Sequence, residues 1–367
     1  MTSLSYEAAG VDYGVIDPLK IAAQEAAKST AGNLTRHGFR ELEESRGESA
    51  YVVDTGSLLI ASITECLGTK ILITDEVYRA TGKSHYAAIA QDTLAMAIND
   101  LVTVGATPVS AHAYWAAGGN EWFADARRAN DLVQGWKAAC DYCGVAWGGG
   151  ETPNLSGVVV DGRIDLAASC VGIVASRERL TLGKNLAIGD AIVLLGSSGI
   201  HSNGVSLART LAASLPGGYA TPIEDGRTFG EALLDPTVLY STVTEAIFKA
   251  GILPKYSANV TGHGWRKLMR HAGDFSYDIH SIPPVPAVLK FICSAGKLDV
   301  REAYSTLNMG AGFAIFTAPE DAPRVVAIAE SLGVTALEAG RVEAGPKRLR
   351  IKPLDIEFAG SELTVRA

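Results

Sequence analysis

Apolar residues fall along this chain in short, bounded runs, and their spacing predicts an order of elements. The first 35 residues are polar and helix-prone, centred on Ala22-Ala23-Gln24-Glu25-Ala26-Ala27. His37-Gly38-Phe39 and Gly47-Glu48-Ser49 then punctuate the chain before the apolar run 57–63, which reads as the first long buried strand. Ile71-Leu72-Ile73 reads as a second, short strand. Over 86–104, Ile89, Leu94, Ile98 and Leu101 recur at near-helical spacing and predict one long helix. A further helix is predicted over 124–143 and a buried strand over 164–174. Residues 176–189 are polar and aperiodic. After them, Ala191-Ile192-Val193-Leu194-Leu195 is apolar without interruption, the pattern of a strand covered on both faces. Helices over 205–215, 265–270 and 322–332, a strand over 313–316 and two terminal strands, the last near 349–351, complete the order. Strands alternating with helices give an α/β chain.

Polar residues that interrupt this pattern carry the candidate chemistry. Directly after the first strand stand Glu65, Gly68, Thr69 and Lys70: a carboxylate, a flexible glycine, a hydroxyl and an amine within six residues. Those groups suit a nucleotide phosphate and its metal ion, although the spacing is not that of a P-loop. On the long helix, Asp92, Met96, Asn99 and Asp100 share one face across two turns. Buried carboxylates need a cation, donors or water, so the face is either a ligand site or a solvated surface. Gly148-Gly149-Gly150-Glu151-Thr152 costs chain entropy, which implies backbone at positive φ or pressed against a ligand. A strand, then Gly196-Ser197-Ser198-Gly199-Ile200-His201-Ser202-Asn203-Gly204, then a helix is the layout of an anion site, as well as of an ordinary turn. Asn259-Val260-Thr261-Gly262-His263-Gly264 is a second turn of that kind.

Length and composition narrow the picture. A chain of 367 residues exceeds one ordinary core, so two domains are expected, 1–175 and 176–367. A net charge of −8 argues against nucleic acid as the main partner, and leaves room for a small phosphorylated ligand. Cys140 and Cys143 form the only close cysteine pair, within a helical pattern and with no second pair to complete a zinc site. No run reaches the length of a membrane span and Met1-Thr2-Ser3-Leu4-Ser5 lacks a signal pattern, so no membrane association and a cytoplasmic location are expected.

Taken in order, these stretches resemble the aminoimidazole ribonucleotide synthetase family, the cyclo-ligases of purine synthesis. The resemblance runs through Ser5-Tyr6, Ala9-Gly10-Val11-Asp12, Gly68-Thr69-Lys70, Asn99-Asp100-Leu101, Gly149-Gly150-Glu151-Thr152, Gly196-Ser197-Ser198-Gly199, His201-Ser202-Asn203-Gly204, Thr261-Gly262 and Asn308-Met309-Gly310. It implies a two-domain α/β fold whose N-terminal sheets pair into a barrel across a homodimer, with a C-terminal α/β sandwich. It also implies ATP- and Mg2+-dependent ring closure of formylglycinamidine ribonucleotide. On that basis Glu65, Asp92 and Asp100 are expected to hold metal. With Gly68, Thr69, Lys70, Asn99, Gly149, Gly150, Glu151 and Thr152 they are expected to hold nucleotide. Ser198, Gly199, His201, Ser202, Asn203, Gly204, Thr261 and Gly262 are expected at the anionic substrate, with Lys70, His201 and His263 as catalytic groups.

The sequence departs from the family pattern where ligands are expected. Glu65-Cys66 replaces Asp-Gly, Arg40 replaces a glycine, Pro153-Asn154 lacks the second acid, and His263 replaces a glycine. Those changes fit a divergent cyclo-ligase, an ATP-using paralogue with another amide, acid or thio substrate, or an inactive nucleotide-binding homologue.

Overall fold

Two sheets carry the fold, each assembled where the apolar runs are densest. The computed structural model describes residues 13–363, with side chains described from residue 18. Ser5-Tyr6 and Ala9-Gly10-Val11-Asp12 lie outside the described residues.

The first sheet holds β1 (Arg40–Glu41), β2 (Tyr51–Asp54), β3 (Leu59–Cys66), β4 (Thr107–Ala117), β5 (Ala146–Glu151) and β6 (Ile164–Val174), in the order β1-β2-β3-β6-β4-β5. All pairs are antiparallel except β4 with β5. The predicted strands over 57–63 and 164–174 are β3 and β6, paired from Leu59 with Val174 to Cys66 with Ala167. Strand β4 is absent from the sequence reading because Pro108 and a shift of register between Pro108 and Ser110 break its alternation. Along β6 the residues Ile164, Leu166, Ala168, Cys170 and Val174 are buried, while Asp165, Ala167, Ser169, Val171 and Ile173 are at least partly open. One face is therefore covered and the other is not.

Helices cover the closed face: α2 (Lys70–Thr81), α3 (Tyr86–Val102), the short α4 (Asn120–Ala124) and α5 (Ala126–Cys143), while α1 (Tyr13–Ser29) precedes the sheet. The expected strand at Ile71-Leu72-Ile73 is instead the start of α2. An apolar triplet carries no period of its own. Here Lys70, Ile73, Thr74 and Val77 are all buried at helical spacing, which sets the conformation. The predicted helix over 124–143 is split at Asp125, whose side chain caps α5 by accepting from the N–H groups of Arg127 and Arg128. Gly135 is where α5 meets α3, since a Cβ there would lie 2.4 Å from Ala87 Cα. Cys140 and Cys143 sit on α5 as free thiols.

The second sheet joins β7 (Ala191–Gly196), β8 (Tyr256–Asn259), β9 (Ser276–Ile279), β10 (Ala311–Thr317), β11 (Ala336–Glu343), β12 (Arg348–Ile351) and β13 (Ile356–Ala359) in the order β13-β12-β9-β11-β7-β10-β8. The chain thus ends on three strands where two were expected. The remaining helices are α6 (Val205–Ser214), α7 (Phe229–Leu233), α8 (Ser241–Lys249), α9 (Ala287–Gly296), α10 (Val300–Thr306) and α11 (Ala322–Ser331). The predicted helix around 265–270 is a 3-10 turn, Gly264–Met269.

Strand β7 is apolar throughout because both of its faces are covered. Ile192 and Leu194 enter a core shared with the first sheet, whereas Ala191, Val193 and Leu195 pack with Tyr240, Val243, Ile247, Phe313 and Val325. Val102, at the end of α3, belongs to that second cluster, so α3 is packed into both halves of the chain. Leu194→Ala is expected to cost about 2–5 kcal/mol, as for other large-to-small core changes, read as a lower urea midpoint.

Candidate active site

The Gly68-Thr69-Lys70 turn ends β3 and starts α2, with Gly68 at φ 73. It aims Lys70 inward. The Lys70 side chain is fully buried, its Nζ lies 2.8 Å from Asp92 Oδ2 in close ionic contact, and it donates to Asp235 O at 3.0 Å. Asp92 Oδ1 accepts from Thr237 N at 2.8 Å and from Thr237 Oγ1 at 2.6 Å. One position earlier Gln91 donates to Thr237 O. Farther along the same stripe, Asn99 donates to Val238 O at 2.8 Å and accepts from Tyr240 N at 3.0 Å. The polar face of α3 is therefore buried, and it holds segment 235–240 of the second half against the first. Three of the expected ligand residues therefore lie at the seam between the halves. The amine of Lys70, the carboxylate of Asp92 and the amide of Asn99 are spent on joining the halves, because in a dry interior each must be satisfied by protein.

Asp100 stands one position around the helix and faces elsewhere. Its Oδ1 accepts from Asn259 Nδ2, at the end of β8, at 2.7 Å. Its charge also acts on Glu65, which closes β3 on the sheet's covered side. Burial first and Asp100 second push the Glu65 carboxyl up to about 7, against the opposing fields of Lys267, Arg270 and Lys20. Lys267 sits on the 3-10 turn and is 8% exposed. Burial first and Arg270 second draw its ammonium down to about 8, while Asp100, Glu65 and Glu48 pull the other way. Arg270 donates to Gly47 O at 3.0 and 2.8 Å and to Ser49 Oγ at 2.8 Å, which ties the turn to the strap before β2. Beside this cluster lies a cavity of about 1090 Å³, lined in part by Arg46, Ser49, Thr64, Ser169 and Arg270.

The expected metal set therefore does not assemble. Asp92 belongs to the Lys70 knot, Asp100 and Glu65 belong to the buried cluster with Lys267, and no group of three acid, histidine or cysteine side chains among the described residues could hold a metal ion. The donor chemistry at the Glu65–Asp100 pair agrees, because one carboxylate already accepts from Asn259 and a buried lysine faces both. These residues do not fit a resident divalent ion.

The turn after β7 is braced from within the second half. His201 adopts φ 57, and its Nε2 accepts from Ser198 N at 3.2 Å. Burial, then the charge of Lys70, lowers its pKa to about 3. A Cβ on Gly312 would lie 1.9 Å from Tyr240 Oη and 2.6 Å from His201 Cε1, so the imidazole is enclosed by neighbouring backbone. Ser198 Oγ donates to Pro236 O at 2.6 Å, and Ser202 Oγ lies 3.4 Å from Thr237 Oγ1. Asn308 accepts from Ser197 Oγ and from Gly310 N and donates to Gly199 O, which explains why Asn308-Met309-Gly310 accompanies that turn. Asn203 and Gly204 lead into α6. His263, at the turn after Thr261 and Gly262, is lowered to about 3 by burial and then by Lys267 and Arg266. In both histidines burial is the largest cause of the lowered proton affinity.

Gly149, Gly150, Glu151 and Thr152 lie apart from these groups, on the exposed edge of the first sheet, three strands and so about 14 Å from β3 by strand spacing. Gly149 and Gly150 have φ 101 and 157, and a Cβ on Gly150 would meet Ala113 O at 2.0 Å. Close backbone approach by β4 accounts for that glycine. Sequence reasoning placed Asn259 only within a candidate turn and gave no role to Lys267 or Arg270. The one available signal was a lysine inside the apolar run Trp265-Arg266-Lys267-Leu268-Met269.

Comparison with known proteins adds the family. The N-terminal domain of the AIR synthase related proteins matches residues 47–174, and their C-terminal domain matches residues 187–352. The phosphoribosylformylglycinamidine cyclo-ligase of Myxococcus xanthus is 35% identical over 289 residues, covering 77% of this chain and 80% of that protein. The protein of the same name from Carboxydothermus hydrogenoformans is 32% identical over 364 residues, covering 96% of this chain and 99% of the relative. Among solved structures, thiamine-monophosphate kinase from Stenotrophomonas maltophilia superposes with a TM-score of 0.57 at 19% identity, over 80% of this chain and 84% of that one, which speaks for the fold alone.

Two outcomes are expected from the site as built. Asp92→Asn leaves the buried Lys70 ammonium without its counter-charge and should destabilise by about 3–5 kcal/mol, measured by denaturant unfolding. For Glu65 the folded pKa is raised from 4.5 to about 7, so the folded state keeps a proton that the unfolded chain releases. Stability from this group is therefore lost as pH rises through that window. Glu65→Gln should match wild type near pH 4 and exceed it by about 1–3 kcal/mol near pH 8.

Proposed function

Because this chain belongs to the AIR synthase related protein family through both of that family's domains, we propose that it is an ATP-dependent cyclo-ligase closing the imidazole ring of purine biosynthesis. Its substrate is formylglycinamidine ribonucleotide and its products are aminoimidazole ribonucleotide, ADP and phosphate. The γ-phosphoryl group passes to the formamide oxygen, which makes that carbon electrophilic and gives it a phosphate leaving group. The neighbouring amidine nitrogen attacks, the carbon–oxygen bond to phosphate breaks, and the ring closes with loss of a proton. The observation that carries this reading is identity of 30–35% to curated cyclo-ligases across most of both chains.

The buried cluster of Glu65, Asp100, Lys267 and Arg270 supports the chemistry. A buried ammonium there favours an anionic ligand, and the charge of the first half keeps that ammonium ionised in the absence of one. Glu65 has a proton affinity near working pH, which suits a carboxylate that accepts the proton released at ring closure. Magnesium enters as the ion carried by the nucleotide itself. Ser198, Gly199, Ser202, Asn203 and Gly204, with Thr261 and Gly262, are assigned to the ribonucleotide. Gly149, Gly150, Glu151 and Thr152, with Gly68 and Thr69, are assigned to ATP.

A homodimer completes this reading. The open face of the first sheet presents Ser62, Thr64, Ser169 and Val171, while Val109, Tyr114 and Trp147 are more than a third exposed and β5 is an unpaired edge. A partly apolar sheet face of this kind is covered by a second copy in a closed dimer. No helix among the described residues is long and apolar enough to cross a membrane.

A second reading, phosphoryl transfer to a different acceptor, is favoured by one observation, the lysine placed among the acids of the buried cluster. Incubation of purified protein with MgATP and formylglycinamidine ribonucleotide separates the two. Aminoimidazole ribonucleotide formed one-for-one with ADP is expected. ATP binding by calorimetry with no affinity for the purine intermediate would move the assignment to the second reading. The rising limb of kcat/KM is expected near pH 7 and should vanish in Glu65→Gln. Sedimentation should give twice the chain mass.

A further inference from the structure

Between α7 and α8, residues 235–240 belong to no helix or strand, yet Thr237, Leu239 and Tyr240 are buried. A buried irregular segment must find partners for its backbone outside itself. This one finds them on α2 and α3. Lys70 donates to Asp235 O at 3.0 Å, Gln91 to Thr237 O at 2.8 Å and Asn99 to Val238 O at 2.8 Å. In return Asp92 accepts from Thr237 N and Asn99 from Tyr240 N. From its other side the same segment holds the turn after β7. Pro236 O accepts from Ser198 Oγ at 2.6 Å, the buried Tyr240 Oη donates to Gly196 O at 2.7 Å, and Thr237 Oγ1 lies 3.4 Å from Ser202 Oγ. Thr237 has one hydroxyl proton and gives it to Asp92 Oδ1 at 2.6 Å, because a carboxylate only accepts. Ser202 is therefore the donor at its contact with Thr237.

We infer that segment 235–240 is a positioning strap, with Thr237 at its centre, through which the first half of the chain sets the place of the turn 196–204. Bonds from α2 and α3 decide where the strap lies, and bonds to the strap decide where the turn lies. Thr237 takes part in both sets, through Asp92 and Gln91 on one side and Ser202 on the other. The inference rests on the cyclo-ligase reading in one respect, that the turn is assigned to the ribonucleotide and Gly68 and Thr69, beside Lys70, to ATP. Transfer between ligands held by two halves needs near-contact alignment, and a misplacement of about 1 Å can cost about a hundredfold in rate. Thr237 acts on that alignment through its neighbours, as a positioning residue.

The test compares the full chain with its Thr237→Val variant, which keeps the shape of the side chain and removes the hydroxyl. In the ligand-free proteins, amide hydrogen exchange read by mass spectrometry should be about tenfold faster across 196–204 in the variant. It should be unchanged in β12, three strands away from β7. With MgATP and formylglycinamidine ribonucleotide, kcat should fall about tenfold or more while the KM for ATP stays within about twofold. A threonine that served stability alone would lower the urea midpoint and leave kcat of the folded enzyme where it was. Thr237→Ser restores the hydroxyl and should match wild type in both readouts. A folded Thr237→Val protein with wild-type exchange across 196–204, or with wild-type kcat, overturns the inference, and so does a Thr237→Ser protein that behaves like Thr237→Val. If Thr237→Val does not fold, Gln91→Met, which removes the bond to Thr237 O, takes its place, and unchanged exchange across the turn then overturns the inference. Absence of product from wild type would instead remove the cyclo-ligase reading, and the exchange readout, which needs no ligand, would still decide this one.

Discussion

The contact between Lys70 and Asp92 is the constraint on which the rest of this molecule depends. It is fully dry, and each partner is also bound to the segment just before α8, through Asp235 O and the amide and hydroxyl of Thr237. Breaking such a pair strands a charge in a medium that cannot solvate it, so the two halves of the chain are held in one relative placement. Asn99 and Gln91 extend the same seam along α3. The same helix carries Asp100. Asp100 faces Asn259 and Glu65 because Asp92 and Asn99, on the adjoining stripe, are already fixed.

The buried cluster around Glu65 and Lys267 draws opposite charges from both halves. Acids come from β3 and α3, bases from the turn after β8, and neither set could be buried alone. The two histidines singled out by their loops stand apart from this balance. They are buried neutral, one as the acceptor that fixes the turn after β7 and the other beside Lys267 and Arg266. Burial and the charge of Asp100 raise the proton affinity of Glu65 instead, a carboxylate that the sequence already set beside Gly68-Thr69-Lys70.

Family membership and the physical reading of the site support each other without being the same argument. Membership rests on identity spread over the whole chain. The site rests on which atoms remain uncommitted once the fold is formed. Lys70, Asp92 and Asn99 form the frame between the halves, and Asn308 and His201 support the turn after β7.

The sequence by itself determined the element order in its strongly patterned stretches. Strands β3, β6 and β7 and helices α3, α5 and α6 were legible because their apolar residues repeat with a period or fill a bounded run, and α3's polar stripe was legible for the same reason. Local pattern failed where no period exists, as at Ile71-Leu72-Ile73, or where a proline and a shifted register hide one, as in β4. What a charged residue does was outside its reach altogether. Lys70 and Asp92 are 22 positions apart in sequence, Glu65 and Lys267 lie in different halves, and one helical position separates Asn99 from Asp100. Only the folded chain decides which of these charges meet, because the energy of a charge depends on its partners and on the water removed from around it.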